Sequence, residues 1–128
     1  MIRILFDTDV LIELLNENKG VTQEFRKLCE EETRLFISPV SIAELYHGIK
    51  PKEEPDLLDV LDLCVSIEVD ATIGKLAGQF LSQHAKSHAL EVADALIAAT
   101  AVHHSFALCT FNWKHYPMKD IERYIIKR

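Results

Sequence analysis

Cysteine is scarce in this chain of 128 residues: Cys29, Cys64 and Cys109 are odd in number, far apart and set in apolar sequence. That excludes a closed disulfide framework and a thiolate zinc site, and predicts buried thiols in a reducing compartment. The six histidines offer no metal site either. His103 and His104 are adjacent and point in different helical directions, while His84 and His88 share a face with no neighbouring acid or cysteine motif. All six are expected to be solvent-facing or packing residues. No apolar run reaches membrane-spanning length, and no basic N-terminal stretch leads to a small-residue cleavage site. A cytoplasmic protein with no membrane contact is expected. Positive charge is the minority sign, with 14 Lys and Arg against 20 Asp and Glu and a net charge of -6. This argues against a broad basic face for nucleic acid, although an acidic pocket filled by a cation can still take a phosphate backbone. Internal repeats and low-complexity segments are absent. The 48% hydrophobic content suffices for one core, and the chain is too short for two.

What the sequence does have is a short apolar run ending in two acids. Ile2, Ile4, Leu5 and Phe6 lack polar alternation and are too few for a helix, as expected of a strand buried on both faces of a parallel sheet. Val10 to Leu15 continue at helical period, with Thr8 or Asp9 placed as N-cap. Asp7 and Asp9 therefore fall on a strand-to-helix turn, at the edge where open α/β sheets bind ligands. Helix capping accounts for one of these acids but not for both. An apolar strand ending in Asp-x-Asp is also how haloacid-dehalogenase phosphotransferases begin, so the stretch alone permits two enzyme classes.

Alternation continues downstream. A stop signal at 16–20 precedes an amphipathic helix carrying Val21, Phe25, Leu28 and Cys29. Arg34 to Ile37 read as a second buried strand, with Pro39 starting a third helix. That helix holds Glu44, and Ser41 to Glu44 has the form of a capping box, which would make Glu44 structural. A short helix around Leu57 and Leu61, a strand-like segment from Cys64 to Val69, and a longer helix capped by Asp70 or Thr72 follow. Residues 91–102 are small or apolar on nearly every side and predict an enclosed central helix. Asp94 sits inside it, where an unpaired carboxylate costs several kcal/mol, so it must be capped, paired or metal-bound. Ser105 to Cys109 read as a strand that brings Thr110 and Asn112 to the same edge as Asp7. The tail permits a helix through Ile121, Tyr124 and Ile125 or a short edge strand from Arg123 to Ile126. The sum is an α/β fold with a mostly parallel central sheet.

Asp7, Glu44, Asp94 and Thr110-x-Asn112, in that order, resemble the signature of the PIN domain, and the whole chain is similar to VapC-type toxin ribonucleases of toxin-antitoxin pairs. The resemblance implies that residues 1–128 form one PIN-like nuclease domain with a three-layer α/β/α sandwich fold, a metal-dependent endoribonuclease with RNA as substrate, a cognate antitoxin as protein partner and a homodimeric state. It maps the family's three principal acids onto Asp7, Glu44 and Asp94. Converging carboxylates repel one another, and Mg²⁺ or Mn²⁺ in an all-oxygen site removes the conflict. Asp7 and Asp94 are then direct ligands, and Glu44 binds through water or orients the attacking water. Asn112 joins the catalytic set, Thr110 hydrogen-bonds that inner group, and Thr8 and Asp9 support Asp7. Many relatives carry a fourth acid where this chain has Asn112, which weakens the expectation of a second ion. Substrate choice falls to loops and to basic residues such as Lys50, Lys52, Lys114, Lys119 and Arg123, each of which taken singly reads as a solvated charge. Two rivals stay open: a catalytically silent PIN-like binding module, and a dehalogenase-type phosphatase with Asp7 as nucleophile and Asp9 as general acid.

Overall fold

A computed structural model describes residues 2–128, with His88 described by its backbone alone. The first apolar run becomes strand β1 (Arg3–Phe6), and Ile4, Leu5 and Phe6 are fully buried. It runs into α1 (Thr8–Leu15), then α2 (Lys19–Glu30), β2 (Arg34–Ile37), α3 (Pro39–Gly48), α4 (Glu54–Asp62), β3 (Val65–Ser66), α5 (Ala71–His88), α6 (Val92–His104), β4 (Ala107–Cys109) and β5 (Glu122–Arg123). The five strands lie in the order β3-β2-β1-β4-β5, and every neighbouring pair is parallel. β1 is central. Phe6 is level with Ile37 on one side and with Cys109 on the other. Asp7, Ser38 and Thr110 are therefore the first residues past three adjacent strand ends, brought together by register alone.

Because side chains alternate across a strand, β1 feeds two cores. Leu5 and Leu108 pack with Ile73, Phe80, Ala98 and Tyr116 beneath α5 and α6. Ile4, Phe6 and Ile37 pack with Leu11, Phe25, Leu45 and Leu57 beneath α1 to α4. Helices thus cover both faces of a parallel sheet, and the α/β/α expectation is met. The enclosed character of α6 follows from its composition: Ala95, Ile97, Ala98, Ala99, Thr100 and Ala101 are buried, and the exposed residues are Val92 at its start and His103 near its end.

Several local expectations change. The cap of α1 is Asp7 itself, whose side chain accepts from the Thr8 N–H, rather than Thr8 or Asp9. The helix begins as soon as the strand ends. The cap of α3 is Ser38, with Pro39 in the first turn, so the Ser41–Glu44 box does not form and Glu44 is released for another contact. Only Val65 and Ser66 of the segment 64–69 pair as a strand, both exposed, since an outermost strand has one neighbour to bury it. Cys29 is exposed, Cys64 half-buried and Cys109 buried; on α2 the core-facing stripe is Val21, Phe25 and Leu28, leaving Cys29 one position off it. Asp70 caps α5. In the tail an edge strand forms rather than a helix, but at Glu122–Arg123 instead of Arg123 to Ile126: β5 pairs with β4, and Tyr124 donates its N–H to the Leu108 carbonyl. The chain end then lies on α2 at Gly20, where any side chain would collide with the Lys127 carbonyl.

Candidate functional site

Asp7 is 7% exposed, and both its oxygens are occupied. Oδ1 accepts from the Thr8 N–H at 2.8 Å. Oδ2 accepts from the Thr110 hydroxyl at 2.9 Å and from the Tyr116 hydroxyl at 2.8 Å. The Asp7 N–H in turn donates to the Cys109 carbonyl at 2.9 Å, extending the β1–β4 ladder one residue past the strands. Asp9, in the first turn of α1, accepts from the Phe111 N–H at 3.0 Å and lies 3.3 to 3.4 Å from the Thr110 hydroxyl. That hydroxyl has one proton, and the shorter contact assigns it to Asp7. Its oxygen also accepts from the Asn112 N–H at 3.1 Å.

Asp94 arrives on α6. Its Oδ2 accepts from the Glu91 N–H at 3.4 Å, so it caps its own helix from the third position. The same carboxylate faces the site: Oδ1 is 3.5 Å from the Tyr116 hydroxyl, and Oδ2 is 3.6 Å from Nδ1 of His115. Tyr116 thus stands between the two principal acids, with its side chain buried beneath them. Glu44 joins from the other side. It is exposed, and its Oε1 accepts from the Thr8 hydroxyl at 2.7 Å, while that hydroxyl also lies 2.9 Å from Oγ of Ser41. Positions 41 and 44 share one face of α3, which aims both at the start of α1.

Negative charge crowds this edge. Burial, aided by the neighbouring charge of Asp7, pushes the Asp9 carboxyl up to about 6, against the pull of the bond from the Phe111 N–H. The Asp94 carboxyl is raised as well, chiefly by burial and secondarily by Asp7, with the Glu91 N–H and His115 opposing. The Tyr116 hydroxyl is driven far up by burial and by Asp7 and Asp94, so it stays protonated and donates.

Of the expected residues, Asp7, Asp9 and Thr110 touch directly, Asp94 joins through Tyr116, and Glu44 joins through Thr8. Asn112 stands one residue removed: its side-chain amide is 2.7 Å from Nδ1 of His115, and only its backbone reaches Thr110. Tyr116, His115 and Ser41 escaped the sequence reading. Ser41 was visible only as a capping residue. His115 and Tyr116 follow the Thr110-x-Asn112 turn closely, but nothing in the sequence shows a tyrosine hydroxyl returning to Asp7. Among the described residues, no three His, Cys, Asp or Glu side chains gather closely enough to cage an ion. The carboxylates are instead spaced by hydroxyl groups, and the donors are almost all oxygen.

Comparison with known proteins identifies the family. Over 118 residues the chain is 33% identical to Ribonuclease VapC10 of Mycobacterium tuberculosis, spanning 90% of this chain and 86% of that one. Its fold superimposes on a crystal structure of VapBC2 from Rickettsia felis, bound to a DNA fragment from its promoter, with a TM-score of 0.83 at 19% identity, covering 98% of this chain and 100% of the other. It also matches FitAcB from Neisseria gonorrhoeae with a TM-score of 0.71 at 27% identity over 94% and 96% of the two chains. The sequence pattern of the PIN domain matches residues 4–121, a span that holds every acid described above, and the chain belongs to the PIN domain family.

Proposed function

We propose that this chain is a metal-dependent endoribonuclease of the VapC type, the toxin of a toxin-antitoxin pair, with residues 1–128 acting as one nuclease domain. The observation that carries the reading is the meeting of Asp7 and Asp94, far apart in sequence, at one buried hydroxyl on the ligand-binding edge of a parallel sheet. Its support from outside the chain is the 33% identity to a relative named as a ribonuclease.

Asp7, Glu44 and Asp94 would hold Mg²⁺ or Mn²⁺. The donors are carboxylate and hydroxyl oxygens, which suit these ions, and Mg²⁺ keeps several waters and needs only one or two carboxylates directly. Bound there, the ion supplies Lewis-acid activation of the scissile phosphate and of a water. The chain supplies the rest. Thr8, Thr110 and Tyr116 fix the Asp7 carboxylate with three donors, so it enters the reaction without reorganising. Glu44, exposed and held at one oxygen by Thr8, orients the attacking water and accepts its proton. The Asn112 amide holds the His115 ring at Nδ1, which keeps that ring beside Asp94.

The match to the PIN domain over residues 4–121 supports the nuclease over the dehalogenase-type phosphatase reading. The silent binding module would have no use for the full set of acids that this chain keeps. The partners that follow from the reading are RNA as substrate, a second copy of the chain as homodimer, and a small antitoxin that masks the acids in the cytoplasm. Structural relatives include a toxin-antitoxin complex from Klebsiella pneumoniae. The antitoxin is expected to place an arginine against Asp7 and Asp94, because a planar guanidinium meets carboxylates bidentately. Copurification from the native host should recover that chain.

The decisive experiment is cleavage of total RNA by purified protein with Mg²⁺ or Mn²⁺ and with chelator, beside an Asp7→Asn control. Metal-dependent cutting at defined sites, lost in the control, is expected. Cutting that survives in Asp7→Asn at the wild-type rate would overturn the assignment.

A further inference from the structure

A basic cleft lies beside the acidic centre. A cavity of about 390 Å³ is lined by Lys86, Ser87, Ala89, Lys114 and His115, and none of these residues is acidic. In a chain with net charge -6, that concentration of one sign is out of character. Lys86 comes from the last turn of α5 and Lys114 from the 3₁₀ turn Trp113–His115 that follows β4. Two segments distant in sequence thus contribute one cation each. Both lysines are exposed, and the helix and the turn that carry them are otherwise anchored, the helix by Ile73, Ala77 and Phe80 in the core and the turn by Tyr116. Neither lysine is used by the chemistry above.

His115 joins the cleft to the site. It lines the cavity, and its Nδ1 is 3.6 Å from the Asp94 carboxylate. A polyanion whose scissile phosphate is held at Asp7 and Asp94 therefore has its neighbouring backbone at hand to the two lysines. The cavity volume lies within the range of ordinary ligand pockets and admits a phosphate with its sugar. Lysine ammonium groups read such a phosphate as point charges, without regard to base identity.

We propose that the cleft formed by Lys86, Lys114 and His115 is a subsite for an RNA backbone phosphate adjacent to the one that is cut. The proposal rests on the ribonuclease reading and adds to it the place where the flanking strand is held. An acidic protein thereby binds a polyanion through one localised basic patch rather than a basic face. The sequence pointed to Lys114 but not to Lys86, since only the packing of α5 against α6 brings the end of α5 to the turn after β4.

The test is fluorescence anisotropy with a labelled single-stranded RNA of mixed sequence, using Asp7→Asn protein so that the probe survives. The variants are Lys86→Ala with Lys114→Ala, and Lys27→Ala on α2 as a control for loss of charge at a remote exposed site. Loss of the subsite should weaken binding at least several-fold and lower the slope of log affinity against log salt by about 0.7 for each phosphate released. In the cleaving protein the same pair of substitutions should raise KM while leaving kcat close to wild type, the mark of uniform binding. If the double variant binds RNA as tightly and with the same salt slope as Lys27→Ala, the subsite is wrong while the nuclease reading stands. A parent protein that neither binds the probe nor cleaves RNA overturns both.

Discussion

The acids on the central strand and those on the helices meet at one edge but are held differently. Asp7 and Asp9 leave β1 directly and are tied to Thr110, Phe111 and Tyr116, residues about a hundred positions later in the chain. Their geometry is set by the register of β1 against β4, and little can move without breaking the sheet. Glu44 is exposed and has a single bond, to the hydroxyl of Thr8. Asp94 is intermediate, divided between capping α6 and facing the site. The difference suits a division of labour in which rigid carboxylates fix position and a looser one handles a proton, because a proton acceptor must reach water while a fixed ligand must not wander.

Removing a fixed acid should have the largest effect. Asp7→Asn or Asp94→Asn is expected to reduce RNA cleavage to background while the purified protein still gives a wild-type circular dichroism spectrum. For Asp94 the expectation is sharpened by its cap: asparagine retains an acceptor for the Glu91 N–H, so α6 survives and only the chemistry is lost. An Asp94→Asn protein that cuts normally would erase the distinction between capping and site roles in favour of capping.

Next comes the loose acid. Glu44→Gln keeps the contact to Thr8 but cannot accept a proton, and kcat should fall by about 10²- to 10⁴-fold. Calorimetric affinity for Mn²⁺ should fall far less than in Asp7→Asn. Equal losses of affinity in the two variants would make Glu44 a ligand of the same kind as Asp7.

A smaller loss is expected at the shared hydroxyl. Tyr116→Phe removes the donor to Asp7 and leaves Thr110 in place, so activity should drop by about 10- to 100-fold, as for other groups that orient a ligand. The metal-free protein should also melt earlier, since two like charges lose the dipole between them. A Tyr116→Phe variant with unchanged melting and activity would show that register alone fixes Asp7.

The gentlest test concerns pH. Asp9 has a folded carboxyl pKa of about 6 against 3.8 for an unperturbed group, so the folded state binds more protons between these values. Its stabilising contribution is fully present below 3.8 and is lost as pH rises through about 6. Metal-free wild type should therefore gain stability from Asp9 on acidification across that window. Asp9→Asn keeps an acceptor for the Phe111 N–H and removes the charge. Its melting temperature near neutral pH should exceed wild type by a few degrees, with the gap closing towards about pH 4. A pH-independent difference would tie the gain to packing rather than to charge.

The chain's own pattern determined a good deal. The short apolar runs at Ile4–Phe6, Leu35–Ile37 and Ala107–Cys109, alternating with helical periods, specified a buried parallel sheet between two helical layers, because only that arrangement satisfies strands with no polar face. Residue order also carried the three acids, since their types and spacing survive without coordinates. Tertiary structure decided what each of them touches. Whether Glu44 capped its own helix turned on Ser38 taking that role first, and whether Asp94 was cap or site turned out to be both. Tyr116 and His115 became visible only once β4 lay beside β1, and Lys86 only once α5 ended near the turn at Lys114. Hydrogen bonds and phosphate contacts act over a few ångströms between residues a hundred positions apart, and sequence periodicity reports which face a side chain takes, not which distant side chain meets it there.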